Sequence, residues 1–424
     1  MTGKIPGRNP HPVSPATAPS VDATAPAVSR AVRSARNGVA VVFALNGLAV
    51  ATWFSRVPAA REALGLSAGQ LGLLLLAVSA GSLLAMPTAG LVSQRLGAAR
   101  TVRLSTAVVA VGLTGAGLAT GLTHSPIAVA LGLFAFGYGS GTCDVAMNVE
   151  GATVERRLGR TVMPRFHAAW SLGSVAGAGL GAGAARLDVP VAAHLAAVAV
   201  VVLGGTLLGA RLFLPPAVAG ADAPAQSNAA RRRALLAAWR EPRTLLVGLV
   251  VLVMAFTEGS ANDWLAVAFV DGHDLSEAAG AAVFGVFVAG MTLGRTAGTI
   301  AIDRWGRVPV LIGTILLAAV GAALAILASS GPVAVAGVAL WGIGASLGFP
   351  VGMSAAADEE EKAAVRVSVV AVIGYTAFLA GPPLLGLLGD RVGILHALLV
   401  VPLLLVPTLA LVPVMREPRS SDRP

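Results

Sequence analysis

The sequence is poor in the side chains that soluble proteins use on their surfaces. Charged residues make up 12% of the 424 residues, whereas hydrophobic residues make up 56%, and the mean hydropathy is +0.80. A soluble chain carries about 25% charged residues. It also has no means of hiding this much apolar surface from water. The composition therefore predicts a membrane protein.

Cysteine and the common enzyme motifs are also scarce. Cys143 is the single cysteine, which excludes an intramolecular disulfide and argues against a thiolate metal centre. The sequence contains no Walker phosphate-binding loop, so ATP is not expected to drive it. No Cys/His cluster has the spacing of a metal site. We expect neither an enzyme, nor a cofactor, nor a bound metal.

What the sequence does contain is a series of apolar runs, each about 20 residues long. A bilayer core of about 30 Å needs about 20 apolar helical residues to cross it. The runs lie at 38–57, 67–90, 101–122, 126–150, 165–185, 190–213, 244–263, 278–301, 308–328, 332–357, 367–388 and 393–414. They predict an all-α membrane protein with twelve transmembrane helices.

The basic residues lie almost entirely in alternate gaps between these runs. One set of gaps, with the termini, holds 25 Lys and Arg residues, the other set holds 4, and Arg295 lies inside a run. By the positive-inside rule, both termini are expected in the cytoplasm of a bacterial inner membrane. The net charge of +9 forms no continuous basic face, so we expect the lipid bilayer and not nucleic acid as the partner.

The chain divides into two groups of six runs. We predict a disordered cytoplasmic tail over 1–36, a six-helix bundle over 37–213, a cytoplasmic linker over 214–243, a second bundle over 244–415 and a tail over 416–424. A shift of 209 residues aligns Arg95 with Arg304 and Gly97 with Gly306. Parallel six-helix repeats are typical of one large class of transporters.

Two short motifs then point to a family. The segment Gly298–Arg307 (GTIAIDRWGR) resembles the loop signature of the major facilitator superfamily between helices 8 and 9. The first-half copy, Gly90–Arg100, is less complete, and Gly386–Gly393 is a weaker echo. The residues that match the signature are Asp303, Arg304, Gly306 and Arg307 in the second half, and Gly90, Arg95 and Gly97 in the first. The resemblance implies two pseudo-symmetric six-helix bundles with a conformational latch at these residues, in which Asp303 is the acidic partner of the nearby arginines.

Other segments resemble a poorly assigned bacterial permease subfamily that includes rhizopine-associated membrane proteins. They are Arg56-Val57-Pro58, Asn148–Gly151, Phe166-His167, Ser171–Gly173 and Asp263-Trp264. The segment Asp144–Asn148 (DVAMN) is also similar to the acid-x-x-x-Asn pattern in helix 4 of fucose:proton symporters.

Asp144 is the first candidate for a functional residue, because an ionisable group inside a membrane is costly. It shares a helical face with Gly137, Gly141 and Asn148. We predict that Asp144 carries a coupling proton and that Asn148 binds solute. The alternative is a structural pair between Asp144 and an arginine.

Glu258 and Asn262 are four residues apart and share a face of helix 7. The family resemblance implies that helices 1, 4, 7 and 10 surround a cavity, so this pair is expected to face Asp144, with Glu258 as a second proton site. Further solute-binding candidates are Asn46, His167 and Arg295. Two of these candidates have a structural alternative: His167 is a packing residue, and Arg295 extends to the membrane surface. For Asp263, next to Asn262, the alternative to a functional role is a solvated side chain near the outer end of helix 7.

These observations favour a monomeric secondary transporter that takes up a small polar solute with protons. The first alternative is proton-driven efflux of amphipathic compounds. Antiporters of the superfamily usually carry a Gly-Pro motif in helix 5, but here that helix reads GSVAGAGLGAG over Gly173–Gly183, without proline. A membrane sensor or scaffold is the second alternative, and it has no need of buried carboxylates.

Overall fold

A computed structural model describes residues 2–3, 30–160, 162–215 and 228–417. Within these ranges the structure is helical and contains no β-strand. Twelve long helices are α1 (Arg30–Ser55), α2 (Ala68–Leu96), α3 (Ala98–Leu118), α4 (Pro126–Leu158), α5 (Met163–Arg186), α6 (Val191–Gly209), α7 (Pro242–His273), α8 (Glu277–Trp305), α9 (Arg307–Leu327), α10 (Gly331–Ala356), α11 (Glu360–Val392) and α12 (Ile394–Met415). Two short helices, Val57–Leu64 and Asn228–Ala238, lie between them.

Eleven of these helices are long and apolar enough to cross a membrane. Helix α5 is the exception because Arg165, His167 and several glycines and serines lower its hydropathy. Its 24 residues still extend about 36 Å, which is enough for a crossing. The predicted fold of twelve transmembrane helices is therefore confirmed.

Several helices extend beyond the predicted apolar runs. Helix α1 begins at Arg30, so the last seven residues of the predicted 1–36 tail are helical; apart from residues 2–3, the rest of that tail lies outside the described residues. The predicted 214–243 linker contains Asn228–Ala238, and 216–227 lie outside the described residues, as do 418–424 of the C-terminal tail. Helices need apolar side chains only in the bilayer core, so polar turns continue past the runs.

Serine caps and glycine turns define several helix ends. The Ser67 side chain accepts a hydrogen bond from the Gln70 backbone at the start of α2, and Ser125 and Ser276 cap α4 and α8 in the same way. Gly97, Gly306 and Gly393 have positive φ angles of 77°, 81° and 79°. These three glycines occupy the same place in the three copies of the sequence motif, and each joins two consecutive helices.

The two halves pack in the same way internally. Helix α4 packs on α2 and α3 in the first half, as α10 packs on α8 and α9 in the second. Between the halves, α2 packs on α11 and α5 packs on α8. The α2–α11 contact is close because Gly72 approaches the Pro382 carbonyl and Gly386 approaches the Ala68 carbonyl.

Candidate functional site

A cavity lies at the centre of the bundle, where helices of both halves meet. Its volume of about 30 Å³ leaves room for only a few water molecules. The lining comes from α1, α5, α7 and α8: Val50, Ala51, Phe54, Trp170, Ser171, Ser174, Glu258, Asn262, Phe284, Val288, Met291, Thr292 and Arg295. Glu258, Asn262 and Arg295, which the sequence singled out, are therefore brought together in one site.

Glu258 and Arg295 form an ion pair within this cavity. The Arg295 Nη2 atom donates to both carboxylate oxygens of Glu258, at 3.1 and 3.3 Å, and so connects α8 to α7. The Arg295 side chain therefore points into the bundle and does not extend to the membrane surface. The sequence predicted separate roles for the two residues, whereas the structure makes them one charged unit.

A second polar group lies on the first half. The Trp170 indole N–H donates to the Asn46 side-chain oxygen at 3.2 Å, and the Asn46 amide donates to the Ser140 hydroxyl at 3.3 Å. These bonds connect α5, α1 and α4. Ser140 was missed by sequence reasoning, although it lies four residues before Asp144 on α4.

Asp144 and Asn148 extend this polar row by two helical turns. The Asn148 side-chain amide donates to the Asp144 carboxylate at 3.2 Å and to the Asp144 backbone carbonyl at 2.9 Å. Among the described residues, Asp144 forms no ion pair with an arginine. Gly137 and Gly141 share its face but pack against the α2 backbone, so they serve helix contact and do not open space for a ligand.

The expected meeting of Asp144 with Glu258 and Asn262 does not occur in this structure. Asp144 and Asn148 lie outside the lining of the central cavity. Across the interface between the halves, Asp144 lies within electrostatic reach of Tyr375 on α11. Tyr375 packs between Phe349 and Phe378, at ring-centroid distances of 5.8 and 6.3 Å.

His167 also lies outside the cavity lining. Its ring meets the edge of Phe43 at a centroid distance of 5.3 Å, and it is within electrostatic reach of Arg295. Ser171, one turn further along α5, does line the cavity. His167 is exposed, which distinguishes it from a histidine fixed inside a packed core.

We call the end of the bundle that carries Arg243, Arg307 and Arg366 the basic face. Here the structure corrects the expected partner of the predicted latch. Arg307 pairs with Asp358 at 3.1 Å, and Arg243 pairs with the same carboxylate at 2.7 Å. Asp303 is exposed and has no ion pair among the described residues.

The reason is the turn at Gly306. Its positive φ starts a new helix at Arg307, whose side chain reaches Asp358 before α11, whereas Asp303 stays on the last turn of α8. Arg304 lies over the Trp305 ring at 5.7 Å. In the first half, Arg95 is exposed and Gly90 has open space around it.

A second ion cluster on the basic face joins α7 to α11. The buried Arg366 pairs with Glu241 and, at 3.0 Å, with Glu359. The Arg366 guanidinium lowers the pKa of the Glu359 carboxyl. Burial raises the pKa of Glu241, but hydrogen bonds from Arg366 and Thr244 outweigh it, so the net shift is downward.

We call the other end of the bundle the opposite face, and here polar contacts join the two halves. Arg61 forms an ion pair with Asp271 at the end of α7. The Asp390 carboxylate at the end of α11 accepts from the Gly69 backbone N–H at 3.0 Å and from the Ser67 hydroxyl at 3.2 Å. Asp390 thus adds a negative charge to the N-terminus of α2 in the other half.

The helical architecture, the pseudo-symmetric halves and a cavity between them define a membrane transporter. The family model of the Major Facilitator Superfamily matches residues 39–301 and 264–424. An uncharacterised transporter of Sinorhizobium fredii is 34% identical over 381 residues, covering 90% of this chain and 98% of that protein. The chain therefore belongs to the major facilitator superfamily and is a transporter rather than an enzyme.

Other comparisons agree with this assignment. Membrane protein MosC of Rhizobium meliloti is 27% identical, covering 85% of each chain, which confirms the resemblance to the subfamily with rhizopine-associated proteins. The structure of nucleoside transporter NupG matches with a TM-score of 0.72 and 13% identity, over 91% of this chain and all of the other. The Escherichia coli fucose:proton symporter FucP matches with a TM-score of 0.61 and 18% identity, over 92% and 100%. At these identities the two structures show the fold alone.

Proposed function

We propose that this protein takes up a small polar solute together with protons, with Asp144 as the proton-carrying residue. The observation that carries the proposal is the position of Asp144, a carboxyl in a membrane-spanning helix with Asn148 as its hydrogen-bond partner. An ionisable side chain inside a membrane-spanning helix is costly, and such residues mark proton and ion pathways. Proton binding and release at this position then depend on which face of the protein is open.

The contacts at the opposite face support a state of the transport cycle in which the protein is closed to the exterior. The positive-inside rule assigns the basic face to the cytoplasm and the opposite face to the exterior of a bacterial inner membrane. Contacts from Arg61 to Asp271 and from Asp390 to α2 close the exterior side. Alternating access requires these contacts to break when the transporter faces outward.

The central cavity is proposed to bind the solute. Asn262, Ser171 and Thr292 supply hydrogen-bonding groups, and the Glu258–Arg295 pair supplies both a donor and an acceptor. Trp170 provides an aromatic surface. This combination fits a neutral hydroxylated molecule, such as a sugar or polyol, that exchanges its water contacts for hydrogen bonds. The cavity has to widen before such a molecule enters.

The test of the coupling role is Asp144→Asn. A thermal-shift screen of the purified protein against sugars, polyols and amphipathic cations first identifies a solute. In proteoliposomes with an imposed pH gradient, the variant is expected to lose accumulation but keep solute exchange, because asparagine resembles the protonated acid. Asp274→Asn, at an exposed loop residue, is the matched control. Accumulation by Asp144→Asn at the wild-type level would rule out Asp144 as the coupling residue.

Efflux of amphipathic compounds is the second candidate. Phe54, Phe284, Val288 and Met291 make part of the cavity apolar, which favours such ligands. The same screen separates the two functions, because stabilisation by amphipathic cations and not by polyols supports efflux.

Reporter fusions test the proposed orientation separately. A reporter near residue 360 is expected in the cytoplasm and one near 124 outside. A periplasmic reporter at 360 would contradict the assignment of the basic face.

A further inference from the structure

An apolar groove runs along the outer surface of the first half, between α5 and α6 and next to α1. Its volume is about 470 Å³. Leu180, Leu187 and Val201 line it, with exposed fractions of 52%, 75% and 58%. Its floor contains Gly179 and Gly183, where an added Cβ would meet no atom within 4 Å.

One polar side chain lines this groove. His194 lies in the first turn of α6 and is 7% exposed. Both of its ring nitrogens are buried and have no hydrogen-bond partner among the described residues. A buried donor without a partner destabilises the folded protein. A ligand with an acceptor oxygen at this end of the groove would remove that cost.

The position of His194 indicates where that oxygen would lie. Helix α6 begins at Val191, at the opposite face, so His194 is near the boundary between headgroups and hydrocarbon. The groove continues to Val201, seven residues further, or about 10 Å into the bilayer. In a phospholipid, the ester carbonyls lie at the depth of His194, and the first methylenes of the acyl chain lie between His194 and Val201.

The same end of the groove includes Val189, whose carbonyl accepts from the Arg56 guanidinium at 2.9 Å. Arg56 is 4% exposed and lies within electrostatic reach of Glu277 and His194. Glu277 offsets part of the charge of Arg56. The ester group is the feature of the lipid that His194 is placed to recognise.

We propose that this groove binds the acyl chain of a membrane phospholipid whose ester carbonyl accepts a hydrogen bond from His194. The chain lies over Gly179 and Gly183, and one ring N–H of His194 turns toward the groove. The bound lipid fills the space between α5 and α6, behind the helix that supplies Trp170 and Ser171 to the central cavity. This inference is independent of the transported solute and of proton coupling.

The test uses the full-length protein in nanodiscs that contain a trace of phospholipid with a diazirine in its acyl chain. After photolysis, mass spectrometry maps the crosslinked residues. We expect crosslinks to concentrate on residues 179–187 and 193–201, and Gly183→Leu and Gly179→Leu to remove them. Gly115→Leu on α3, where an added Cβ also meets nothing within 4 Å, is the matched control and keeps them.

The role of His194 is tested with lipids that share headgroup and chains but differ in an ester or ether linkage. The wild-type protein is expected to retain the ester lipid about five-fold better, the ratio given by one hydrogen bond of about 1 kcal/mol. His194→Phe keeps an aromatic ring but removes the ring N–H, and it should abolish the preference while leaving the chain crosslinks. An added fatty acid that displaces the phospholipid would identify a free acid as the occupant and overturn the proposal. Crosslinks spread evenly around the bundle, unchanged in Gly183→Leu, would show annular lipid only and would also overturn it.

Discussion

Glu258 and Arg295 place two opposite charges side by side in a cavity that both halves line. Each charge compensates the other, so the cavity gains a donor and an acceptor without a net charge. Removing one partner leaves the other partly buried and unpaired, which costs more than the pair contributes. An ion pair therefore differs from two independent binding residues in its stability: the losses from the two single substitutions do not add.

We expect Arg295→Ala and Glu258→Ala each to lower stability, and the double variant to be more stable than the sum of the two losses predicts. The coupling energy should be of order 1–3 kcal/mol. Thermal unfolding of the four proteins in one detergent measures it. Additive losses would show that the two side chains do not act as a pair.

The sequence was enough to predict some residues of the cavity, but it was not enough to predict which of them pair with each other. Spacing placed Glu258 and Asn262 on one face of α7, and both line the cavity. The pairing of Glu258 with Arg295 depends on how α7 packs against α8, and no local pattern encodes that. Ser140 was within reach, since Ser140, Asp144 and Asn148 repeat every four residues, but a serine in an apolar helix is a weak signal without its partner Asn46.

At the scale of elements, the turns between helices give the sequence motif its physical meaning. Gly97, Gly306 and Gly393 each take a positive φ with an extended ψ. Only glycine adopts this conformation without strain. The motif therefore holds two consecutive helices at a fixed turn, and its charged residues occupy the helix ends on either side.

Gly306→Ala is expected to destabilise the protein by about 1–3 kcal/mol, because alanine is strained at this φ and ψ. Gly313→Ala, seven residues further along and inside α9, is the matched control. Gly313 lies within α9 with open space around it, so alanine there should be neutral or slightly stabilising. Thermal unfolding compares the two, and equal melting temperatures would contradict the role of the turn.

For the predicted latch, the sequence motif identified the basic residue but not its acidic partner. The sequence identified Arg307 correctly as a charged residue at the start of a helix, but it assigned the acid by proximity along the chain. The structure supplies Asp358, which is 51 residues further on. Such a partner follows from tertiary packing and not from a local pattern.

The Glu241–Arg366–Glu359 cluster predicts a pH dependence of the α7–α11 contact. The pKa of Glu359 is lowered in the folded protein, so its contribution is complete above the ordinary glutamate pKa of about 4.3 and is lost as the pH falls through the lower folded value. Protection from hydrogen exchange at the start of α11, measured relative to the unstructured chain at each pH, should therefore decrease below about pH 4. Arg366→Gln should show the lower protection already at pH 7, and protection that is the same at all pH values in the wild type would refute the role of the cluster.

At the scale of the whole molecule, two symmetric interfaces, α2–α11 and α5–α8, connect the halves. Hydrophobic runs and charge placement were enough to predict the twelve helices and their division into two groups. They were not enough to predict which end is closed, because that depends on contacts such as Asp390 to Gly69, 321 residues apart. The conformational state is a property of the assembled halves.

Asp390→Ala is expected to favour the state that is open at the opposite face, because the N-terminus of α2 loses its cap from the other half. A cysteine introduced at Leu66 in a Cys143→Ser background should react faster with a membrane-impermeant maleimide when Asp390 is replaced. Asp274→Asn, outside this contact and compatible with the positive φ of 52° at this position, should leave the rate unchanged. An unaltered rate in Asp390→Ala would mean that the carboxylate does not hold this face closed.

In the proposed mechanism, solute and proton cross the membrane together and Asp144 carries the proton. The most direct measurement adds the identified solute to proteoliposomes without any imposed gradient and records the external pH. The wild-type protein is predicted to make the external medium alkaline as the solute enters, and Asp144→Asn to exchange solute without any pH change. Net solute entry through the wild-type protein with a constant external pH would contradict proton coupling.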